Sequence, residues 1–109
     1  MTAAAEGDPI EVTRQDNTVV ITVRHQLDAD AGRSLVDSAT TAVRTPGVSR
    51  LDIDLRELGS FTPEGARTLI VCRSLGAGLP DGLHYRTGRG AGRDALLTAY
   101  RDLETEAST

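Results

Sequence analysis

Two short runs of aliphatic and β-branched residues, separated by a segment with helical spacing, constrain the fold of this chain more than any other feature. The first run, 18–23, reads TVVITV. In the second run, 48–55, apolar residues alternate with Asp52 and Asp54, a pattern typical of a strand with one buried face. The segment between them has apolar residues on one predicted helix face: Leu35, Val36, Ala39 and Val43. This order favours parallel strands joined by a helical crossover.

The rest of the chain continues the alternation of strands and helices. Residues 10–14 alternate in polarity and precede turn residues at 15–17, so they predict a hairpin with 18–23. A helix is predicted from about residue 62 to the glycines at 76–78, a short strand at 83–87 and a last helix at 93–103. Asp28 or Asp30 is the predicted N-cap of the first helix. The order β-β-α-β-α-β-α predicts an α/β domain, with a mixed four-stranded sheet and about three helices.

The predicted domain spans residues 10–103, with flexible tails at 1–9 and 104–109, because both ends are polar. Residues 1–9 contain no base and only a short alanine stretch, which does not fit a secretory signal. No apolar run approaches the length of a membrane span. We therefore expect a cytoplasmic protein with no membrane partner.

Charge and composition argue against several classes of function. The net charge is −4 and aromatic residues make up 3% of the chain, so the basic surface and stacking side chains of nucleic-acid-binding proteins are lacking. All 12 basic residues are arginines, which excludes a Schiff-base lysine and a phosphate-loop lysine. Cys72, the one cysteine, allows no internal disulfide and is expected to be a small core residue.

Little in the chain predicts catalysis. The motifs GxSxG, HExxH, CxxC and GxxxxGK[ST] do not occur, and His25 and His84 fall in different elements, as loop or strand-end residues. We therefore expect no enzymatic activity, no metal ion and no cofactor. Asp52, Asp54 and Glu57 form the densest acidic cluster, which we interpret as a solvated face.

A glycine-rich loop at residues 88–93 resembles a nucleotide-binding loop only in part. It follows a predicted strand and precedes a helix, with glycines at Gly88, Gly90 and Gly92. Arg93 occupies the place where the dinucleotide-binding pattern needs a third small residue. We interpret the loop as a flexible connector. The alternative is a small-ligand or nucleotide-sensing domain, in which backbone amides, Arg89 and Arg93 bind an anion.

The segment 54–69, DLRELGSFTPEGARTL, contains a strong helix start and a family signature. Thr62 is a hydroxyl N-cap, Pro63 suits the first helical position, and Glu64 puts an acid near the positive end of the helix dipole. The segment resembles the signature of STAS domains, the family of bacterial anti-sigma factor antagonists: Asp-Leu ending a strand, a short loop, then Asp-Ser-Ser/Thr-Gly opening a helix. The segment HQLD at 25–28 is similar to the Gly-x-Leu-Asp of that family, and the resemblance spans about residues 10–103.

The resemblance implies a non-catalytic protein-binding module whose partner is an anti-sigma factor of the serine-kinase ATPase type, or a related regulator. In the family that kinase phosphorylates the motif serine and so breaks the complex. The family's aspartate corresponds here to Thr62, its acceptor serine to Pro63 and its glycine to Gly65. Because proline has no hydroxyl, the usual serine switch is not expected to operate.

Two interpretations of this departure stay open. In the first, the tetrapeptide 62–65 only starts a helix well and the switch is lost. In the second, Glu64 imitates a permanently modified state, or Thr62 or Ser60 replaces the serine as acceptor. In either case the predicted partner-binding residues are Ser60, Thr62, Pro63, Glu64 and Arg67.

Overall fold

The computed structural model describes the backbone of residues 9–108 and the side chains of residues 9–102. In chain order the elements are β1 (Ile10–Gln15), β2 (Thr18–Val23), β3 (His25–Leu27), α1 (Ala29–Arg44), β4 (Arg50–Asp54), β5 (Leu58–Phe61), α2 (Pro63–Gly76), β6 (Leu83–Arg86) and α3 (Ala91–Ser108). The three predicted helices and the four predicted strands are all present.

The main sheet has four strands in the order β1-β2-β4-β6. Strands β1 and β2 pair antiparallel as a hairpin, whereas β2 with β4 and β4 with β6 pair in parallel. The helices α1 and α2 lie between these parallel strands in sequence, as parallel pairing requires. The predicted fold class, a mixed four-stranded sheet opened by a hairpin, is confirmed.

The hydrophobic core lies between one face of this sheet and the helices. Alternate residues of the central strands belong to it, among them Ile21 on β2 and Ile53 on β4. Each helix contributes to the same cluster, for example through Leu35, Leu69 and Ala95. All three helices therefore lie on one face of the sheet. The cluster also contains the fully buried Cys72, which confirms the expected core role of this residue.

Two short strands, β3 and β5, were not predicted from the sequence. β3 and β5 form a separate parallel two-stranded sheet, with an irregularity in register between His25 and Gln26. His25 has a φ of 65°, a left-handed conformation that marks the bend between β2 and β3. This small sheet leads directly into the amino ends of α1 and α2.

The helix ends follow their capping residues. Of the two predicted caps of α1, Asp28 is the one that acts: its Oδ1 accepts a hydrogen bond from the amide of Ala31 at 2.9 Å. Helix α3 begins at Ala91 and continues to Ser108, beyond the predicted end at residue 103. Residues 1–8 of the predicted amino-terminal tail lie outside the described residues, and the flexibility expected at 104–109 stays a prediction.

Candidate functional site

The amino end of α2 is fixed to the small sheet by hydrogen bonds. The amide of Thr62 donates to the carbonyl oxygen of Leu27 at 3.0 Å, which extends the contact between β5 and β3. The Thr62 hydroxyl then accepts a hydrogen bond from the amide of Gly65 at 3.1 Å, and Pro63 is the first helical residue. The predicted helix start is confirmed in each of these details.

Gly65 lets α2 approach the junction between β3 and α1 closely. A Cβ atom at this position would lie 2.5 Å from the carbonyl carbon of Leu27 and 3.0 Å from the amide nitrogen of Asp28. The backbone of Gly65 has no positive φ, so the close approach of two chain segments, and not a turn, accounts for the glycine. The result is that α1 and α2 begin beside each other.

The predicted partner-binding residues occur together on the surface. Ser60, at the end of β5, and Pro63, Glu64 and Arg67, on the first two turns of α2, are exposed, while Thr62 is half-buried. We call these five residues the α2 N-terminal surface. They follow one another along a strand end and a capped helix start, so the positions of their backbones are fixed by the fold.

Sequence reasoning missed the neighbours of this surface on β3 and α1. Gln26 pairs with Ser60 across the small sheet and is exposed. It also lines a shallow groove with Asp30 and Ser34, on the first turns of α1. Strands β3 and β5 are too short to show a recognisable alternation of apolar residues. Their pairing, which brings these neighbours together, could therefore not be predicted from the sequence.

Acidic residues surround the two adjacent helix amino ends. Asp28 caps α1, Asp30 lies in its first turn, and Glu64 lies in the first turn of α2. Each carboxylate interacts favourably with the positive end of a helix dipole. The α2 N-terminal surface therefore has one acidic side chain, Glu64, directly after Pro63, and Asp28 and Asp30 lie at the adjacent amino end of α1.

The second predicted candidate, residues 88–93, is a loop only in part: residues 87–90 join β6 to α3, whereas residues 91–93 lie in the first turn of α3, so their interpretation as part of a connector is wrong. Gly88 and Gly90 have φ values of 60° and 114°, and these are conformations that favour glycine. Gly92 packs against Leu55, where a Cβ would lie 2.7 Å from the Leu55 Cβ and closer to its carbonyl oxygen. The backbone conformation and packing of these three residues therefore explain why they are glycines. Arg89 and Arg93 are exposed, and anion binding by them stays a prediction.

Among the described residues, the two histidines and the cysteine lie on different elements: His25 on β3, His84 on β6 and Cys72 on α2. Over the described residues, no group of three or more histidine, cysteine, aspartate or glutamate side chains is placed to hold a metal ion. His84 donates from Nε2 to the carbonyl oxygen of Asp81 at 2.9 Å. Burial raises the pKa of the Cys72 thiol to about 12, so this thiol is protonated at neutral pH.

No described helix is long and apolar enough to span a membrane.

The interpretation of Asp52 and Asp54 as a solvated face is wrong. Both side chains point away from the helices, yet their exposed fractions are only 1% and 6%. Arginine side chains cover them: Arg56 bonds both oxygens of Asp54, at 2.9 and 2.7 Å, and its amide adds a third bond. The Arg56 hydrogen bond, against the effect of burial, lowers the pKa of Asp54. Only Glu57 of the predicted cluster is exposed.

Comparison with known proteins identifies the fold but no family by sequence. No family model matches the chain, and neither does any curated protein. The anti-sigma factor antagonist SpoIIAA, in its unphosphorylated form, is similar with a TM-score of 0.65 at 15% identity, over 81% of each chain. The phosphorylated form of SpoIIAA, a Bacillus cell fate determinant, has a TM-score of 0.64 at 16% identity, over 88% of this chain and 86% of that chain.

Part of a larger protein has a similar fold. Mglu matches with a TM-score of 0.66 at 15% identity, over 78% of this chain but only 21% of that chain. The agreement with SpoIIAA, in contrast, extends over most of both chains and includes the hairpin, the mixed sheet and the three helices. The chain therefore has the STAS-domain fold of SpoIIAA.

Proposed function

We propose that this chain is a non-catalytic regulatory module, active in the cytoplasm, that binds a protein partner through the α2 N-terminal surface. The observation that carries the proposal is that Ser60, Pro63, Glu64 and Arg67 are exposed together on a rigidly held helix start. The SpoIIAA fold and the signature-like segment 54–69 support the same conclusion. By the family resemblance, the partner is an anti-sigma factor of the serine-kinase ATPase type or a related regulator.

The local structure favours binding without a large rearrangement. Thr62 caps the helix, and Gly65 packs against the backbone at Leu27. A surface that is already ordered before association loses less conformational entropy when a partner binds. Affinity at such a surface comes from shape and charge fit, with Glu64 and Arg67 supplying opposite charges one helical turn apart.

We further propose that serine phosphorylation at the usual position does not control this binding. Pro63 occupies the position of the acceptor serine and has no hydroxyl. Glu64 already places a negative charge in the first turn, where a phosphate would otherwise interact with the helix dipole. The Thr62 hydroxyl is engaged as the cap acceptor for the Gly65 amide, which argues against a second role as phosphate acceptor.

Charge reversal at Glu64 tests the docking surface. Kinase-type anti-sigma factors of the native host are titrated calorimetrically with the wild-type chain, with Glu64→Lys and with Asp37→Lys. Asp37 is exposed on α1, about two and a half turns from its amino end, so this variant carries the same charge change elsewhere. We expect binding to weaken at least about tenfold in Glu64→Lys only. Equal weakening in both variants, or no binding by any such kinase, contradicts the proposal.

Restoring the hydroxyl tests the absence of the switch. The wild-type chain and Pro63→Ser are incubated with a kinase that binds them and ATP, and intact masses are measured. We expect a single added phosphate only on Pro63→Ser, at residue 63. A phosphate on wild-type Thr62 or Ser60 would show that another hydroxyl has taken over the switch, while leaving the docking surface itself in place.

A further inference from the structure

A polar groove lies on the face of the main sheet that the helices leave uncovered. Its volume is about 880 Å³, and it extends from the turn between β1 and β2 to the residues before β6. The groove thus lies near the amino ends of the parallel strands, whereas the α2 N-terminal surface follows their carboxyl ends. Its lining includes Thr18, Ser49, Arg50, Asp52, His84 and Arg86.

Two arginines converge on one buried carboxylate in this groove. Arg50 donates from Nε to Oδ1 of Asp52 at 2.7 Å, and Arg86 donates from Nη2 to Oδ2 at 2.7 Å. The side chain of Asp52 is 1% exposed, while those of Arg50 and Arg86 are 42% and 41% exposed. The three side chains Arg50, Arg86 and Asp52 together carry one surplus positive charge, but Arg86 also interacts electrostatically with Asp54, and Asp16 and Asp81 line the same groove.

Stability alone does not account for this arrangement. A buried carboxylate with its partners is often no more stabilising than well-packed apolar residues in the same space. What Asp52 does achieve is to fix the orientation of two flexible guanidinium groups from neighbouring strands, β4 and β6.

The guanidinium groups of Arg50 and Arg86 have more N–H donors than Asp52 can accept. Each guanidinium has five N–H groups. Within residues 9–102, Asp52 is the one hydrogen-bond partner of the guanidinium groups of Arg50 and Arg86. Planar guanidinium forks bind phosphate and carboxylate groups with two hydrogen bonds at once, and lose less entropy when they are already oriented. The cluster is therefore prepared for an oxyanion.

The remainder of the lining indicates what else the ligand carries. Asp16 and Asp81 lie at the groove with the hydroxyl-bearing residues Thr18 and Ser49 and the amide side chain of Asn17. Carboxylates accept hydrogen bonds and repel a second anion, so they favour hydroxyl groups on the ligand. We propose that this groove is a binding site for a small hydroxylated oxyanion, a phosphate or carboxylate held by Arg50 and Arg86. Nothing in this proposal depends on the partner-binding function.

Side-chain NMR tests the site directly in the full chain. The arginine Nε–Hε signals are followed at constant ionic strength during titration with glucose 6-phosphate, gluconate, inorganic phosphate or glucose. We expect saturable shifts at Arg50 and Arg86 with glucose 6-phosphate or gluconate, and none with glucose. Comparison of glucose 6-phosphate with gluconate shows whether the site prefers a phosphate or a carboxylate. Stronger binding of glucose 6-phosphate than of inorganic phosphate shows the contribution of the hydroxyl groups.

Two arginine variants provide the comparison. Arg86→Gln removes one fork, and we expect it to weaken binding about tenfold or more. Arg33→Gln removes an exposed arginine of α1 that pairs only with Asp30 of the same helix among the described residues, and it is expected to bind as the wild type does.

The proposal is overturned by shifts that never saturate, by equal shifts with glucose, or by equal weakening in both variants. Equal affinity for inorganic phosphate and glucose 6-phosphate overturns the hydroxylated class of ligand. Should Arg86→Gln fail to fold, the wild-type titration alone decides, since shifts centred on Arg89 and Arg93 instead of Arg50 and Arg86 place the anion elsewhere. Loss of partner binding in Glu64→Lys has no bearing on any of these results.

Discussion

Replacing Gly65 with alanine tests the packing that holds the α2 N-terminal surface in place. A Cβ at this residue would lie 2.5 Å from the carbonyl carbon of Leu27, although real Cβ atoms essentially never come within 3.0 Å of such neighbours. The obstacle is backbone, so no side-chain rotation relieves it, and the start of α2 must move away from the β3–α1 junction. Overpacking of this kind costs about 1–3 kcal/mol. Alanine in place of glycine returns up to about 1 kcal/mol through helix propensity.

We therefore expect Gly65→Ala to lower the free energy of unfolding by about 1–2 kcal/mol. For a urea m-value of about 2 kcal/mol/M, the midpoint of urea denaturation falls by about 0.5–1 M. Gly78→Ala is the matched control, because a Cβ there has no neighbour within 4 Å and the backbone φ is not positive. Its midpoint should equal or slightly exceed that of the wild type. A Gly65→Ala protein as stable as the wild type would refute the close approach of the two segments.

Three further results are expected from the hydrogen bonds and buried groups. Thr62→Ala should lower the free energy of unfolding by about 1 kcal/mol in urea denaturation, and Thr62→Ser should restore most of it, since the helix cap needs only the hydroxyl. Burial alone would raise the pKa of Asp52, but the arginine hydrogen bonds outweigh it and lower the pKa. The stability that these hydrogen bonds provide is complete above the unfolded pKa of about 4 and is lost as pH falls through the lower folded value. Urea midpoints should therefore be constant above about pH 5 and fall below it, less steeply in Asp52→Asn. Cys72 should resist a thiol reagent at about pH 8 until urea unfolds the chain, and rapid labelling of the folded protein would contradict its burial.

The sequence carried enough information for the main sheet because its central strands are long and apolar on one face. Ile21 and Ile53 repeat with their neighbours at a spacing of two, and Leu35 lies in a run with helical spacing, so strand and helix periods were distinguishable. The small sheet gave no such signal. His25 and Gln26 are exposed, and β3 is only three residues long, so its existence depends on a partner strand far along the chain.

The error at Asp52 has a specific physical origin. Alternation of apolar and polar residues predicts a solvated polar side, and this prediction holds only when nothing covers that face. Arg50 lies two residues away on the same face and was visible in the sequence. Arg86 lies 34 residues away, and only the parallel register of β4 with β6 brings it to the other oxygen. A long-range contact of this kind is set by topology, which local spacing does not reveal.

The tetrapeptide at 62–65 is structurally complete without a phosphate. Thr62 caps the helix, Pro63 fits the first helical position, Glu64 places charge at the positive end of the dipole, and Gly65 permits close packing. Each of these residues is explained by the start of the helix alone. Agreement with a family signature at these positions therefore supports the helix start more directly than it supports a binding partner. Binding must therefore be judged from side chains whose replacement costs the fold little. Exposed Glu64 is the sharper probe: its reversal should weaken binding and lower the free energy of unfolding only by the helix-dipole contribution, about 1 kcal/mol, whereas Gly65→Ala should displace the backbone of the whole surface.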